Sequence, residues 1–167
     1  MQSASPEGPA DEPLVLVDYC HTPDALEKAL QALQPLALQR GGRLWCVVGC
    51  GGDRDAGKRP LMAAAAEREA ARVVLTSDNP RSEDPLHILD QMRLGLRRPQ
   101  AATVEADRAI AIAATVRAAA PEDVILLAGK GHEDYQEVAG VKRHFSDIEQ
   151  GRLALQARRA LASGVKP

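Results

Sequence analysis

One stretch limits the fold more than any other: the uninterrupted apolar run Val124-Ile125-Leu126-Leu127-Ala128 after Asp123. A strand with one wet face alternates apolar and polar residues, whereas a continuous run belongs to a strand covered on both faces. Such strands occur in parallel sheets with helices above and below. The rest of the chain fits that frame. Leu14-Val15-Leu16-Val17-Asp18-Tyr19, Leu44-Trp45-Cys46-Val47-Val48 and Arg72-Val73-Val74-Leu75-Thr76 read as strands, with Thr103-Val104-Glu105 a weaker one. Between them lie helical segments. Thr22 caps the first, with Pro23 at its first position and Leu26, Leu30, Leu33 and Leu36 or Leu38 on one face. Others run over Leu61 to Glu67 with Pro60 in the first turn, from about Pro85 to Leu96 and from Asp107 to Ala119. Tyr135–Val138 and Val141–Phe145 flank Ala139-Gly140 as a hairpin. Ser146, with Glu149 three residues on, opens a last helix with a capping-box spacing. The expected architecture is α/β: a Rossmann-like open, mostly parallel sheet, helices on both faces and a C-terminal β-hairpin.

Residues 1–13, rich in Pro, Ala, Ser, Gly and acid, read as a flexible tail or linker, and 14–167 as one domain. Aromatic residues are 2% of the chain and the net charge is −2, so neither base stacking nor phosphate attraction supports a nucleic-acid partner. No apolar stretch is long enough to cross a membrane. The three cysteines, Cys20, Cys46 and Cys50, show no paired metal-ligand spacing, which suits a reducing, cytoplasmic setting.

In an open α/β sheet, ligands sit beyond the carboxyl ends of the strands. Four polar loops leave those ends: Asp18-Tyr19-Cys20-His21, Gly49 to Arg59, Asp78-Asn79-Pro80-Arg81, and Gly129-Lys130-Gly131-His132-Glu133. The second contains Gly52-x4-Gly57-Lys58, most of a phosphate-binding loop, but Arg59 stands where a Ser or Thr hydroxyl must reach Mg²⁺. The glycines could make only a tight turn. Equally, an arginine there could grip a carboxylate with two parallel hydrogen bonds. In the third loop, Pro80 sets the backbone, Arg81 offers a carboxylate fork, and Asp78 or Asn79 can accept from an ammonium. In the fourth, Gly129 and Gly131 permit close backbone approach and Glu133 supplies an anion. No nucleophile–base–orienter set and no metal-ligand cluster is present.

Taken together, Asp18 to Leu26, Leu44 to Asp55, Gly57 to Met62, Asp78 to Arg81 and Gly129 to Gln136 resemble the C-terminal domain of the Mur ligases. Within that family they are similar to the members that add meso-diaminopimelate. The resemblance covers the chain from about Leu14 to the last helix. It implies a Rossmann-like third domain of an ATP-dependent ligase of peptidoglycan synthesis. That reaction activates the D-glutamyl carboxylate of UDP-MurNAc-L-Ala-D-Glu as an acyl phosphate, which the incoming amine attacks. It further implies that Arg54 and Arg81 contact carboxylates of meso-diaminopimelate, with Asp78, Asn79 and Pro80 completing the recognition motif. Gly129 and Glu133 resemble the partners of its distal ammonium, and Asp18 and His21 resemble nucleotide-side contacts.

ATP and Mg²⁺ are then expected mainly on domains outside this chain, with no cofactor on the chain itself, a monomeric state and no ligase activity alone. Cys20, Ser77 and Ala56 depart from the family's usual residues without touching the recognition positions. The alternative reading is a freestanding amino-acid or nucleotide-binding module of the same fold, without catalysis.

Overall fold

The computed structural model describes residues 1–5 and 11–164. Its main sheet has six strands in the order β1-β2-β6-β3-β4-β5. These are β1 (Gln2–Ser3), β2 (Leu14–Asp18), β3 (Leu44–Val48), β4 (Arg72–Leu75), β5 (Thr103–Val104) and β6 (Val124–Ala128). Strands β2 to β6 pair in parallel, and β1 runs antiparallel on the β2 edge. The helices are α1 (Pro23–Arg40), α2 (Lys58–Glu69), α3 (Pro85–Arg93), α4 (Arg108–Ala118) and α5 (Asp147–Ala162). A two-stranded hairpin, β7 (Tyr135–Val138) and β8 (Val141–His144), stands apart from the main sheet.

Strand β6 lies between β2 and β3, and all five of its side chains are buried. Its alternate residues serve opposite faces. Leu126 and Ala128 join Leu16, Cys46 and Val48 under α1, α2 and α3. Ile125 and Leu127 join Val15, Val17 and Val47 under α4 and α5. This is the period-2 division of a strand, here with both faces dry.

The helix ends follow their capping chemistry. Thr22 accepts the Ala25 amide, and Gly41 closes α1 at φ 74°. Leu36 packs against the core while Leu38 is 78% exposed, which separates the two residues the periodicity allows. Asp84 caps α3, which stops at Arg93, three residues before the expected Leu96, where the Gly95 and Leu96 amides turn to the Met92 and Arg93 carbonyls in tighter turns. The box at Ser146 is only half formed. Its hydroxyl accepts the Glu149 amide at 3.4 Å, but the Glu149 carboxylate turns instead to His144 Nε2 at 2.6 Å.

The first residues differ from the flexible tail expected over 1–13. Gln2 and Ser3 pair with Val17 and Leu16, and Ala4 is fully buried. Glu12 is 5% exposed and its carboxylate receives the Arg159 guanidinium from α5. An edge strand's unpaired backbone groups and a half-buried ion pair hold both ends of this segment, despite its coil-like composition. The part of that expectation that falls on residues 6–10 lies outside the described residues.

Candidate functional site

Parallel strands bring the loops after β2, β3, β4 and β6 to one edge. They enclose a cleft of about 490 Å³ lined by residues of every one of them, including His21, Arg54, Asp78, Arg81 and Glu133. A second cleft of about 460 Å³ lies at the opposite edge, around Arg43, Trp45, Arg72 and Asp123. Ligand chemistry concentrates at the first. It sits beyond the carboxyl ends of the strands, where parallel sheets place their ligands.

The glycine loop has a shape that its own hydrogen bonds determine. The Gly52 amide donates to Asn79 O, Asp53 to Glu83 Oε1, and Gly57 to Asp55 Oδ1. The amides of Lys58 and Arg59 donate to Asp55 O and Ala56 O. A phosphate cradle needs these N–H groups free and aimed at the anion. Here they are engaged within the protein.

Arg59 adds the second objection. It is 1% exposed, its Nη2 donates to Glu83 Oε1 at 2.7 Å and to Gly51 O at 3.1 Å, and its Nη1 reaches Glu83 Oε2 and Gln91 Oε1. This residue latches the loop to α3 and cannot supply the missing hydroxyl. The chain's own residues therefore do not fit the triphosphate and Mg²⁺ of a phosphate-binding loop. Among the described residues no group of three His, Cys, Asp or Glu side chains is arranged to hold a metal.

The five charges of that loop divide into two groups. Asp53, Asp55 and Arg59 are tied into the loop's own structure, with Asp53 accepting from Ser82. Arg54 and Lys58 line the cleft, and Asp55 borders it as well. Gly52 permits the close packing of this loop on the next one, since a Cβ there would lie 1.8 Å from the Pro80 carbonyl oxygen.

Asp78-Asn79-Pro80-Arg81 is held by the hairpin. The Gln136 side chain donates to Asp78 O, the Glu137 amide to Asn79 Oδ1, and the Arg81 amide to Glu137 O. The Ala139 amide returns a bond to Arg81 O at 2.7 Å. The constraint forces Arg81 to φ 54°, a conformation that non-glycine residues rarely adopt. Its Nη1 donates to Gly52 O at 2.8 Å, and its Nε and Nη2 have no hydrogen bond among the described residues. Pro80 is buried behind this motif and is absent from the cleft lining.

On the far wall, Gly129 at φ 114° carries the chain from β6 into the cleft beside Asp78. Glu133 accepts from Asn79 Nδ2 at 3.2 Å. Lys130, between them in sequence, is fully buried beneath Asp78, Asn79 and Glu133. His132 is exposed and packs loosely against Tyr19. His21 lines the cleft with Nδ1 near Tyr19 O, whereas the Asp18 carboxylate faces the Cys20 amide at 3.0 Å and lies outside the lining. Of the residues singled out in the sequence, the cleft brings together Arg54, Asp78, Asn79, Arg81, Gly129, Glu133 and His21.

The Cys50 thiol also borders the cleft. Burial, aided by the nearby Asp78 carboxylate, pushes its pKa up to about 12, so it is held as the unreactive thiol.

The sequence reading missed Arg108. It is fully buried, and its guanidinium meets Asp147 through Nε at 2.8 Å and Nη2 at 2.6 Å. It also donates to Ser77 O and Ala128 O, the residues immediately before Asp78 and Gly129. The only hint in the sequence is an arginine placed at the start of an otherwise apolar helix.

A Rossmann-like parallel sheet carries cations and anions around one cleft at its carboxyl edge. The chain belongs to the Mur ligase family: the family model for the Mur ligase, glutamate ligase domain matches residues 7–131. It is similar to the UDP-N-acetylmuramoyl-L-alanyl-D-glutamate–2,6-diaminopimelate ligase of Acidovorax sp. (strain JS42), 59% identical over 153 residues, or 92% of this chain and 30% of that one. The ligase of the same name from Ralstonia nicotianae is 62% identical over 151 residues, 90% of this chain and 29% of that one. A solved structure of a ligase so named superimposes with a TM-score of 0.84 at 44% identity, over 95% of this chain and 31% of that one. The chain thus spans about 30% of the length of the curated relatives it matches.

Proposed function

We propose that this chain is the amino-acid-recognising domain of an ATP-dependent carbon–nitrogen ligase that adds meso-diaminopimelate to UDP-MurNAc-L-Ala-D-Glu in peptidoglycan synthesis. The observation that carries the reading is the juxtaposition of Arg54 and Arg81 with Asp78 and Glu133 around one cleft. Diaminopimelate has an ammonium and a carboxylate at each end. The end that does not react needs both a cation and an anion acceptor, and this cleft supplies both.

In this reading Arg81 and Arg54 hold carboxylates, while Asp78, Glu133 and the Gly129 carbonyl receive the distal ammonium. Asn79 and Pro80 support the motif. His21 and Asp18 stand on the nucleotide side. ATP and Mg²⁺ belong to the complete ligase, and the activation of the D-glutamyl carboxylate is assigned to portions outside these 167 residues. What this domain contributes is proximity: gripping the distal end leaves the other amine to be aimed at the activated carbonyl. The isolated chain is therefore expected to bind but not to ligate. It works as a monomer in the cytoplasm, with neither nucleic acid nor a membrane as partner.

The test is Arg81→Ala in the full-length ligase, comparing kcat/KM for meso-diaminopimelate and for lysine, which lacks the second carboxylate. Loss of a half-buried carboxylate fork should lower the preference for diaminopimelate at least about 100-fold. An unchanged preference would sink the assignment.

A further inference from the structure

Lysine is almost never fully buried unless its charge is paired, yet Lys130 is 0% exposed. Its ammonium has three protons and three acceptors: Asn79 Oδ1 at 3.1 Å, Asp78 Oδ1 at 3.2 Å and Glu133 Oε2 at 3.5 Å. The Tyr135 ring lies nearby, its centroid 5.8 Å from Nζ. Buried on all sides, Lys130 does not reach a ligand. It touches instead the two carboxylates that the proposed function assigns to the ammonium, and Asn79, which supports them.

The consequence for each partner is specific. Asp78 gives Lys130 one oxygen, and its Oδ2 accepts no hydrogen bond from the described residues. Glu133 presents Oε2 to Lys130 and to Asn79 Nδ2, leaving Oε1 likewise without a donor. Asn79 Oδ1 accepts from both Lys130 and the Glu137 amide, which turns its Nδ2 toward Glu133. One ammonium therefore sets the aim of two carboxylates and one amide.

We propose that Lys130 is the positioning residue for ammonium recognition: it fixes the orientation of Asp78 and Glu133 and cancels one of their two charges. A single net negative charge remains, and one carboxylate oxygen of each acid is left without a donor among the described residues. That arrangement matches one ligand ammonium. Without Lys130 the two acids repel each other and Asn79 loses one of the two contacts that orient its amide. An arginine has the charge but not the compact three-donor geometry, and its planar fork cannot satisfy the three oxygens from one point.

The inference rests on the ammonium half of the proposed function, so its test separates the two. In the full-length ligase, kcat/KM is measured for meso-diaminopimelate and for 2-aminopimelate, which keeps both carboxylates and the attacking amine but lacks the distal ammonium. The wild-type enzyme is expected to prefer diaminopimelate at least about 100-fold, because the analogue leaves buried acceptors unpaired. Lys130→Met is expected to reduce that preference below about 5-fold, while KM for ATP and for the nucleotide-sugar dipeptide stays within about 2-fold of wild type.

A merely structural lysine would lower both amino substrates together and preserve their ratio, and that result overturns the proposal. No preference in the wild-type enzyme would instead refute the ammonium reading itself. Should Lys130→Met not fold, Lys130→Gln carries the same expectation. Failure of both to fold would assign Lys130 to stability alone and overturn the positioning role.

Discussion

Glu83 shows how one side chain can stabilise a site it does not enter. Two bonds from the Arg59 guanidinium and one from the Asp53 amide hold its pKa down at about 2, against an ordinary 4.5. A carboxyl whose folded value is depressed stabilises the fold at pH above its unfolded value. That contribution is lost as pH falls from about 4.5 toward about 2. Glu83→Gln removes the titration. The wild-type chain should therefore lose its urea-midpoint advantage over Glu83→Gln progressively between pH 5 and 2.5, in that direction only. Parallel midpoints across the window would contradict the assignment. The residues that form this latch were the least legible in the sequence. Arg59 was visible as an oddity in a phosphate-loop pattern, but its partner lies 24 positions away. Lys130 read as a loop residue flanked by glycines. Its burial depends on Asp78 and Asn79, more than 50 residues earlier, which no local pattern reports.

Elements were far more readable, because each carries its own period and punctuation. The five parallel strands, the five helices and the hairpin all follow from apolar periodicity, caps and turn residues. The misses have local physical causes: α3 tightens into i→i−3 turns at Gly95, and β1 hides in a coil-like composition because an edge strand needs only backbone pairing. The hairpin carries an energetic weakness of its own. A lone two-stranded hairpin is marginal in water, and this one turns through Ala139 at φ 50° and Gly140 at φ 75°. Both central residues are left-handed, the type I′ geometry that favours Asn-Gly. Ala139→Asn should raise the unfolding free energy by about 0.5–1 kcal/mol, measured by urea denaturation. A decrease would show that the turn does not hold that geometry. Because β7 also braces Asn79 and Arg81, a firmer turn should reach the recognition motif.

Across the whole molecule, α4, α5, the β4 exit and the β6 exit meet at one buried ion pair, Arg108–Asp147. Removing either partner leaves a buried charge alone. Arg108→Ala and Asp147→Asn should each cost about 3–5 kcal/mol by urea denaturation of this chain. Replacing both by apolar residues should recover only part, since the Ser77 and Ala128 carbonyls lose their donor in either case. Full recovery would show that those two bonds carry no weight.

The inward-facing amides of Gly52, Asp53, Gly57, Lys58 and Arg59 have a final consequence. A phosphate loop with open amides is completed by its ligand, whereas this one is complete without any. That loop needs no ligand to close its hydrogen bonds, so little ordering entropy on its side opposes binding. A molecule that fails to match the spacing of cations and anions meets a template that does not bend to it. Selectivity in such a cleft is a property of the empty protein.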